Sequence, residues 1–325
     1  MNHTRKTSYH HFFRTLILLG FSSYIVVLSK SDSLQLYIAP RMMIYVQIAS
    51  VVLYIIACFQ GFLALRAYWG KPVDCECNPP VPRSILRTIL AYGLLILPLL
   101  IGFLLPDTAL NSTMVAAKGM NLSPAPTNMT TPRAQSYNLP SFPKPATSSQ
   151  TMQADQAQAV PTVQTNSEIE QLFQSPDEWN EDFAKMGIIL YQKDRILVQP
   201  DIYMEILSTI DLFQDNFIGK EIELTGFVYR EEDKMRADQI VVGRFAVSCC
   251  SADASPYGVM VEFPTALNYP QDMWVKVTGT IQHGHYNGND IFKIKAAKIE
   301  KIEAPSSPYV YPNFEPLTVL KSLNP

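Results

Sequence analysis

The side chains with the greatest chemical reach in this sequence are its cysteines and histidines. Cys249 and Cys250 are adjacent, within Arg244-Phe245-Ala246-Val247-Ser248-Cys249-Cys250-Ser251-Ala252-Asp253-Ala254. Two thiolates and the nearby Asp253 carboxylate form a donor set for a soft metal ion such as Zn(II) or Cu(I). The same pair can instead pack as small apolar residues, close a strained vicinal disulfide, or act as a reactive thiol couple. A thiolate nucleophile needs a cationic neighbour, and only Arg244 offers one nearby in sequence. Both cysteines follow a predicted strand, on which neighbouring residues point to opposite faces. One thiol is therefore expected inside the domain and the other outside.

Two further groups have ligand spacing. Cys75-Glu76-Cys77, preceded by Asp74, can chelate one soft ion through both sulfurs, although structural zinc sites take four ligands and this loop has no histidine. His283 and His285 stand at i and i+2 before a predicted hairpin tip, so on a strand they share a face and can meet one ion. His3, His10 and His11 belong to the N-terminal tail. Asp272 and Asp290 read as turn residues. The chain offers no nucleophile–base–orienter set, phosphate-cradling glycine loop or paired carboxylates, so a non-enzymatic protein is expected. Five cysteines in 325 residues are too few and too oddly spaced for a disulfide-stapled scaffold.

The elements that must position these groups divide by composition. Residues 1–120 carry 10 basic and 4 acidic side chains, and residues 167–325 carry 14 basic and 24 acidic. An acidic water-soluble part disfavours nucleic acid as a partner. Residues 42–65 hold no charge over 24 positions, and 88–106 none over 19. The first of these is long enough to cross a bilayer and the second close to the minimum, with Pro98 tolerable inside it. Residues 12–29 complete a set of three expected spans, with Arg14 snorkelling to the interface. Lys and Arg near the spans number seven on the N-terminal side (Arg5, Lys6, Arg14, Arg66, Lys71, Arg83, Arg87) and three opposite (Lys30, Arg41, Lys118). The positive-inside rule then puts the N-terminus in the cytoplasm and everything after Pro106 outside it. Gln47 and Gln60 fall loosely on one helix face, available to a partner helix.

Beyond the spans, residues 121–166 carry seven prolines and only Arg133, Lys144 and Asp155 as charges, which reads as a flexible spacer. From Ser167 the pattern becomes globular. A capping-box spacing from Ser167 to Glu170 starts a short helix. Residues 187–191 and 195–198 look like strands, and Ile202, Ile206 and Ile210 have helical spacing. From Gly219 the chain is strand-rich, with Asn287-Gly288 as its clearest hairpin turn. The phrase Glu221-Ile222-Glu223-Leu224-Thr225-Gly226-Phe227-Val228 is echoed by Trp274-Val275-Lys276-Val277-Thr278-Gly279-Thr280-Ile281. About five strands with mid-strand glycines fit a small closed barrel of OB type.

The expected fold is therefore a membrane-anchored α plus β protein. It has a cytoplasmic tail (1–11), a three-helix transmembrane region (12–106, with spans at about 12–29, 42–65 and 88–106) and a disordered linker (107–166). A small α/β lead-in (167–218) and an OB-like β-barrel (219–325) complete it.

Several phrases together resemble one family. They are Tyr37-Ile38-Ala39-Pro40-Arg41-Met42, Pro98–Pro106, Lys118-Gly119-Met120, Gly226-Phe227-Val228-Tyr229-Arg230, Arg244–Ala254, Trp274–Gly279 and Ala304–Tyr311. The chain resembles the YcgQ-like family of bacterial membrane proteins, described as subunits of a two-component permease. The resemblance covers most of the chain except the spacer. It implies a non-catalytic partner for a separate polytopic permease in the cell membrane, with a link to metal handling. Many members of that family carry a His-rich loop between spans two and three, where this chain has Asp74-Cys75-Glu76-Cys77. The expected function is thus a membrane subunit whose extracytoplasmic domain supports a partner permease. The alternatives are a thiolate-based metal-binding or metal-delivery protein using Cys249, Cys250, Asp253, Cys75, Cys77, His283 and His285, and an extracytoplasmic thiol oxidoreductase.

Overall fold

A computed structural model describes residues 2–69, 85–122, 166–175, 177–231 and 233–323. Three long helices come first: α1 (Asn2–Lys30), α2 (Pro40–Tyr68) and α3 (Ile85–Leu104). Within them, Tyr9–Lys30 and Pro40–Arg66 are long and apolar enough to cross a membrane, at 22 and 27 residues. At about 1.5 Å per residue they span about 33 and 40 Å, against a hydrocarbon core of about 30 Å. The apolar part of α3, Ile89–Leu104, is shorter, and Pro98 sits within the helix.

Helices α1 and α2 form an antiparallel pair zipped by polar contacts. Ser29 meets Gln47 (3.0 Å), Ser22 donates to the Ser50 carbonyl (3.0 Å), and His11 Nδ1 lies 2.8 Å from Gln60 Oε1. Both glutamines are thus used within the chain rather than kept for a partner helix, because each faces a polar group on α1. His11 also leaves the expected free tail: α1 begins at Asn2, and His11 is buried against α2. Large apolar side chains such as Ile48, Val52, Ile55 and Phe59 remain exposed on α2, the pattern of a helix whose solvent is lipid.

The segment after α3 is ordered, where the sequence led us to expect linker from residue 107. It holds α4 (Ser112–Lys118), with Asn111 as N-cap accepting from Thr113 N–H, and it buries Val115 and Leu122. Asn111 therefore serves as a helix cap. The linker core, 123–165, lies outside the described residues.

The C-terminal part opens with α5 (Asn166–Leu172) and α6 (Glu181–Tyr191). The second replaces a strand expected at 187–191. Ala184, Gly187 and Leu190 recur at helical spacing and are buried together with Met186, so the helical period outweighs the β-branched pair Ile188-Ile189. Then come β1 (Arg195–Leu197), α7 (Tyr203–Leu212), α8 (Gln214–Phe217), β2 (Glu221–Tyr229), β3 (Gln239–Ala246), β4 (Ser255–Glu262), β5 (Trp274–Tyr286), β6 (Asn289–Lys301) and α9 (Pro316–Ser322). Ile202, Ile206 and Ile210 are buried, as their spacing requires.

The strands make one mixed sheet of order β1-β2-β3-β4-β6-β5, with β2 also pairing β5. The pairings β2–β3–β4–β6–β5–β2 return on themselves, β4–β6 being parallel and the other four antiparallel. The two echoed phrases lie side by side, with Ile222 opposite Gly279 and Gly226 opposite Val275. Glycines permit the bend. A Cβ on Gly226 would lie 2.5 Å from the Gly243 carbonyl oxygen, and one on Gly243 would lie 2.5 Å from that of Tyr257. The hairpin joining β5 to β6 turns at Asn287 and Gly288, both with positive φ (51° and 82°), the requirement of a type I′ turn.

Alternate strand residues feed two cores. Ile222, Leu224, Val228, Val242, Val275, Val277 and Ile294 join the helices α5 to α7 in the larger one. Phe227, Tyr229, Val241 and Phe245 face the other way, into a smaller core completed by Ala39, Val115, Leu122, Ala254 and Tyr309. Phe227 stacks on Phe245 there, with ring centroids 5.2 Å apart. Ala39 lies between α1 and α2 in the chain, so the second core joins the helical region to the sheet domain.

Candidate metal centre

The loop after β3 carries Cys249 and Cys250. The strand ends at Ala246, so alternation no longer governs the pair and neither thiol enters the domain core. Cys249 is exposed, Cys250 half-exposed, and both are free thiols. This corrects the expectation of one inward thiol, and the exposure of Cys249 does not fit the reading as a pair of buried small residues.

Asp253 shapes the loop. Its Oδ1 accepts from Ser248 N–H (2.9 Å), and its Oδ2 accepts from the N–H groups of Cys249 (2.7 Å) and Cys250 (3.3 Å). One carboxylate thus fixes the backbone under both cysteines. The two sulfurs lie 3.7 Å apart. Among the described residues, Cys249, Cys250 and Asp253 form the one group of three such donors whose ligand atoms lie within 4.8 Å of one another. The Asp253 carboxylate and the Cys250 thiol push the Cys249 thiol up to about 11. Burial opposes ionisation of Asp253, but its hydrogen bonds outweigh this and hold the carboxyl below the usual carboxylate range.

The loop is gripped from two sides by the helical region. From the α1–α2 connection, Ala39 N–H donates to the Cys249 carbonyl (3.0 Å) and the Tyr37 carbonyl accepts from Ser251 N–H (2.8 Å). Arg41 reaches the Ser248 carbonyl through Nη2 (2.6 Å) and Nε (3.1 Å). From α4, the Lys118 ammonium donates to the carbonyls of Ala252 (3.1 Å) and Ala254 (2.6 Å). Beyond it, Asn121 exchanges backbone hydrogen bonds with Pro256 and Gly258. Further along, Ser112 binds the Asp272 carboxylate through N–H and Oγ, and Tyr309 Oη accepts from Leu110 N–H. Asp272, with φ 65°, is a turn residue as expected and an anchor for α4 as well.

The other candidate ligands do not join this site. His283 and His285 share an exposed face of β5, as their spacing requires, but each faces its own carboxylate. His283 lies 3.5 Å from Asp215, and His285 lies 2.5 Å from Asp290, its partner across the hairpin. They line a separate groove of about 540 Å³ with Asp211 and Phe213. Cys75 and Cys77 lie outside the described residues. The grip of Tyr37, Ala39, Arg41 and Lys118 on the cysteine loop was missed from the sequence. A signal was present: the phrases Tyr37–Met42, Lys118–Met120 and Arg244–Ala254 are the segments that meet here.

Comparison with known proteins adds an identity. The model described as "DUF1980 N-terminal domain" matches residues 13–121, and that described as "DUF1980 C-terminal domain" matches 173–312. The chain belongs to the DUF1980 family. The N-terminal match ends at Asn121, and the spacer falls between the two matches. Two relatives run nearly the full length. The chain is 24% identical over 318 residues to "UPF0703 protein YcgQ" of Bacillus subtilis (strain 168), covering 93% of this chain and 100% of the relative. It is 25% identical over 303 residues to "Putative two-component membrane permease complex subunit" of Streptococcus mutans serotype c (strain ATCC 700610 / UA159), covering 92% and 98%. The resemblance drawn from the sequence phrases therefore holds, and the chain is a membrane protein of this family.

Proposed function

We propose that this chain is a non-enzymatic, multi-pass subunit of a two-component permease in the cell membrane. Its C-terminal domain stands outside the cytoplasm and supports transport by a polytopic partner. The observation that carries this reading is the docking of the sheet domain onto the α1–α2 connection through Ala39, Arg41 and the second core. A domain clamped to the helices is built to act with the membrane part rather than to roam on a tether. The name of the Streptococcus mutans relative supplies the permease.

The same contacts support a reading with three crossings. The domain touches both the α1–α2 connection and the residues after α3, so the chain leaves that face along α2 and returns to it along α3. The excess of Lys and Arg at the opposite ends supports a cytoplasmic N-terminus. For the domain itself, the self-returning strand circuit with one parallel pairing supports the reading as a small OB-like barrel. OB domains that take single-stranded nucleic acid use a basic, aromatic groove. With 24 acidic against 14 basic residues over 167–325, this one is assigned no nucleic-acid partner.

Affinity purification of the tagged full chain from its own membranes tests the reading. A stoichiometric polytopic permease is expected in the eluate. Recovery of the chain alone, at native expression and in mild detergent, overturns it. Protease added to spheroplasts tests the sidedness: cleavage within 123–165 is expected, and full protection beside a degraded exported control refutes it.

A further inference from the structure

We propose that Cys249, Cys250 and Asp253 form a single exchangeable site for a soft divalent cation of the zinc type, seated where the C-terminal domain meets the α1–α2 connection. The argument begins with distance. One ion bonded to two sulfurs at about 2.3 Å with a tetrahedral angle of about 109° requires sulfurs about 3.8 Å apart. The two thiols stand 3.7 Å apart, so no backbone movement is needed to bring both onto one ion. Asp253 completes a face of three donors within 4.8 Å of one another. Its Oδ1 accepts one backbone hydrogen bond and Oδ2 accepts two, which leaves Oδ1 a lone pair for a monodentate metal bond.

Adjacent thiols on a mobile loop would lose this spacing. Here Asp253 ties down three successive N–H groups beneath them, while Ala39, Tyr37, Arg41 and Lys118 occupy the loop's carbonyl and amide groups from outside. The backbone beneath the ligands is thus preorganised by bonds that do not use the sulfurs, while the Cys249 thiol donates to the Cys250 sulfur. Exposure sets the type of site. A buried structural zinc is closed by four protein ligands, whereas three protein ligands leave one position for water or an incoming donor. Cys249 is exposed, so that position faces outward and an ion can be passed on. Binding is balanced by protons: each thiol gives its proton to water as its sulfur–metal bond forms, and the carboxylate binds as it is. Two thiolates, one carboxylate and the divalent ion then sum to a net charge of −1. Arg41 and Lys118, both hydrogen-bonded to carbonyls of this loop, lie on the same stretch as that charge.

The proposal is independent of the permease reading, since a chain with no permease partner still binds the ion. The test uses the full chain in detergent micelles, with Cys75→Ser and Cys77→Ser so that those thiols do not contribute. Cd(II) is the probe, because its thiolate charge-transfer absorption counts sulfur ligands. One Cd(II) per chain with a two-thiolate band is expected, lost in Cys249→Ser/Cys250→Ser and weakened at least about tenfold in affinity by Asp253→Asn. A readout without loop variants accompanies it. Zn(II) should slow alkylation of Cys249 and Cys250 together at least about tenfold, as read by peptide mass spectrometry, and leave Cys58 unchanged. No charge-transfer band, an undiminished band in the double serine variant, or unprotected thiols overturns the proposal. Retained co-purification with the permease in the double serine variant keeps the two readings separate.

Discussion

Replacing Gly226 with alanine tests whether the strand circuit depends on the glycine crossing. The added Cβ would lie 2.5 Å from the Gly243 carbonyl oxygen and 2.9 Å from its carbon and nitrogen, where ordinary contact starts at 3.4 Å. The obstacle is backbone, so no rotamer relieves it and β2 must move by about 1 Å relative to β3. On its other side β2 is held by β5 through seven register pairs, Glu221 to Phe227. The β3 side has three, Phe227 to Tyr229, and the shorter ladder is the one to yield. Loss of about three backbone hydrogen bonds at about 1 kcal/mol each, with about 1 kcal/mol of residual overpacking, totals about 4 kcal/mol. For a domain of this size that is a fall in Tm of about 8 to 16 °C. Near-ultraviolet circular dichroism of the full chain in micelles follows it, because Trp274 pairs with Phe227 beside the substituted residue. Gly93→Ala is the control: a Cβ there meets nothing within 4 Å, and no loss is expected. A Gly226→Ala shift below about 3 °C, or one equal to that of Gly93→Ala, would show that the ladder does not rely on this close approach.

Three further outcomes are expected. Glu205 is buried, and burial raises its carboxyl above the ordinary 4.5, only partly offset by the Asn313 N–H. The folded state then binds a proton that the unfolded chain releases, so stability falls as pH rises from 4.5 through the higher folded value. Glu205→Gln should flatten the Tm–pH profile in that window, and an unchanged slope refutes the assignment. Ala39→Asp puts a carboxylate where the side chain is 1% exposed, at a cost of several kcal/mol, and should undock the domain; hydrogen exchange at the Ser251 amide is expected to speed up by about tenfold or more, with unchanged protection as the contrary result. Gly288→Val forces a β-branched residue to φ 82° and should cost about 2 kcal/mol, read as lower Tm with the β5–β6 pairing intact; a neutral result would mean that the turn re-forms differently.

The parts of this molecule that could be read from its sequence are those set by local physics. The uncharged runs, the strand-rich C-terminal stretch, the Asn287-Gly288 turn and the spacing of Ile202, Ile206 and Ile210 follow from period, polarity and turn chemistry, each visible in a short window. The failures have two causes. Gly187–Tyr191 was misjudged because a β-branched pair in five residues says strand, while the helical period is visible only when Ala184 is included. The docked face was missed because it is long-range: Tyr37, Lys118 and Asp253 are separated by 81 and 135 residues of chain, and no local pattern relates them. Such a face leaves a different trace. Ala39, Val115 and Leu122 are apolar residues just beyond the uncharged runs, where a simple hairpin or tether needs none. Their burial gives them a reason, and it also accounts for Arg41 and Lys118, which charge counting treats only as topology signals. Arg41 donates to the Ser248 carbonyl and Lys118 to those of Ala252 and Ala254, all in the cysteine loop. The same two residues stand on the minority side of the charge count, and their place there has a structural reason, since both brace the loop that carries the thiols. Replacing either with an uncharged residue is therefore expected to loosen the cysteine loop while leaving the charge bias behind the expected orientation in place.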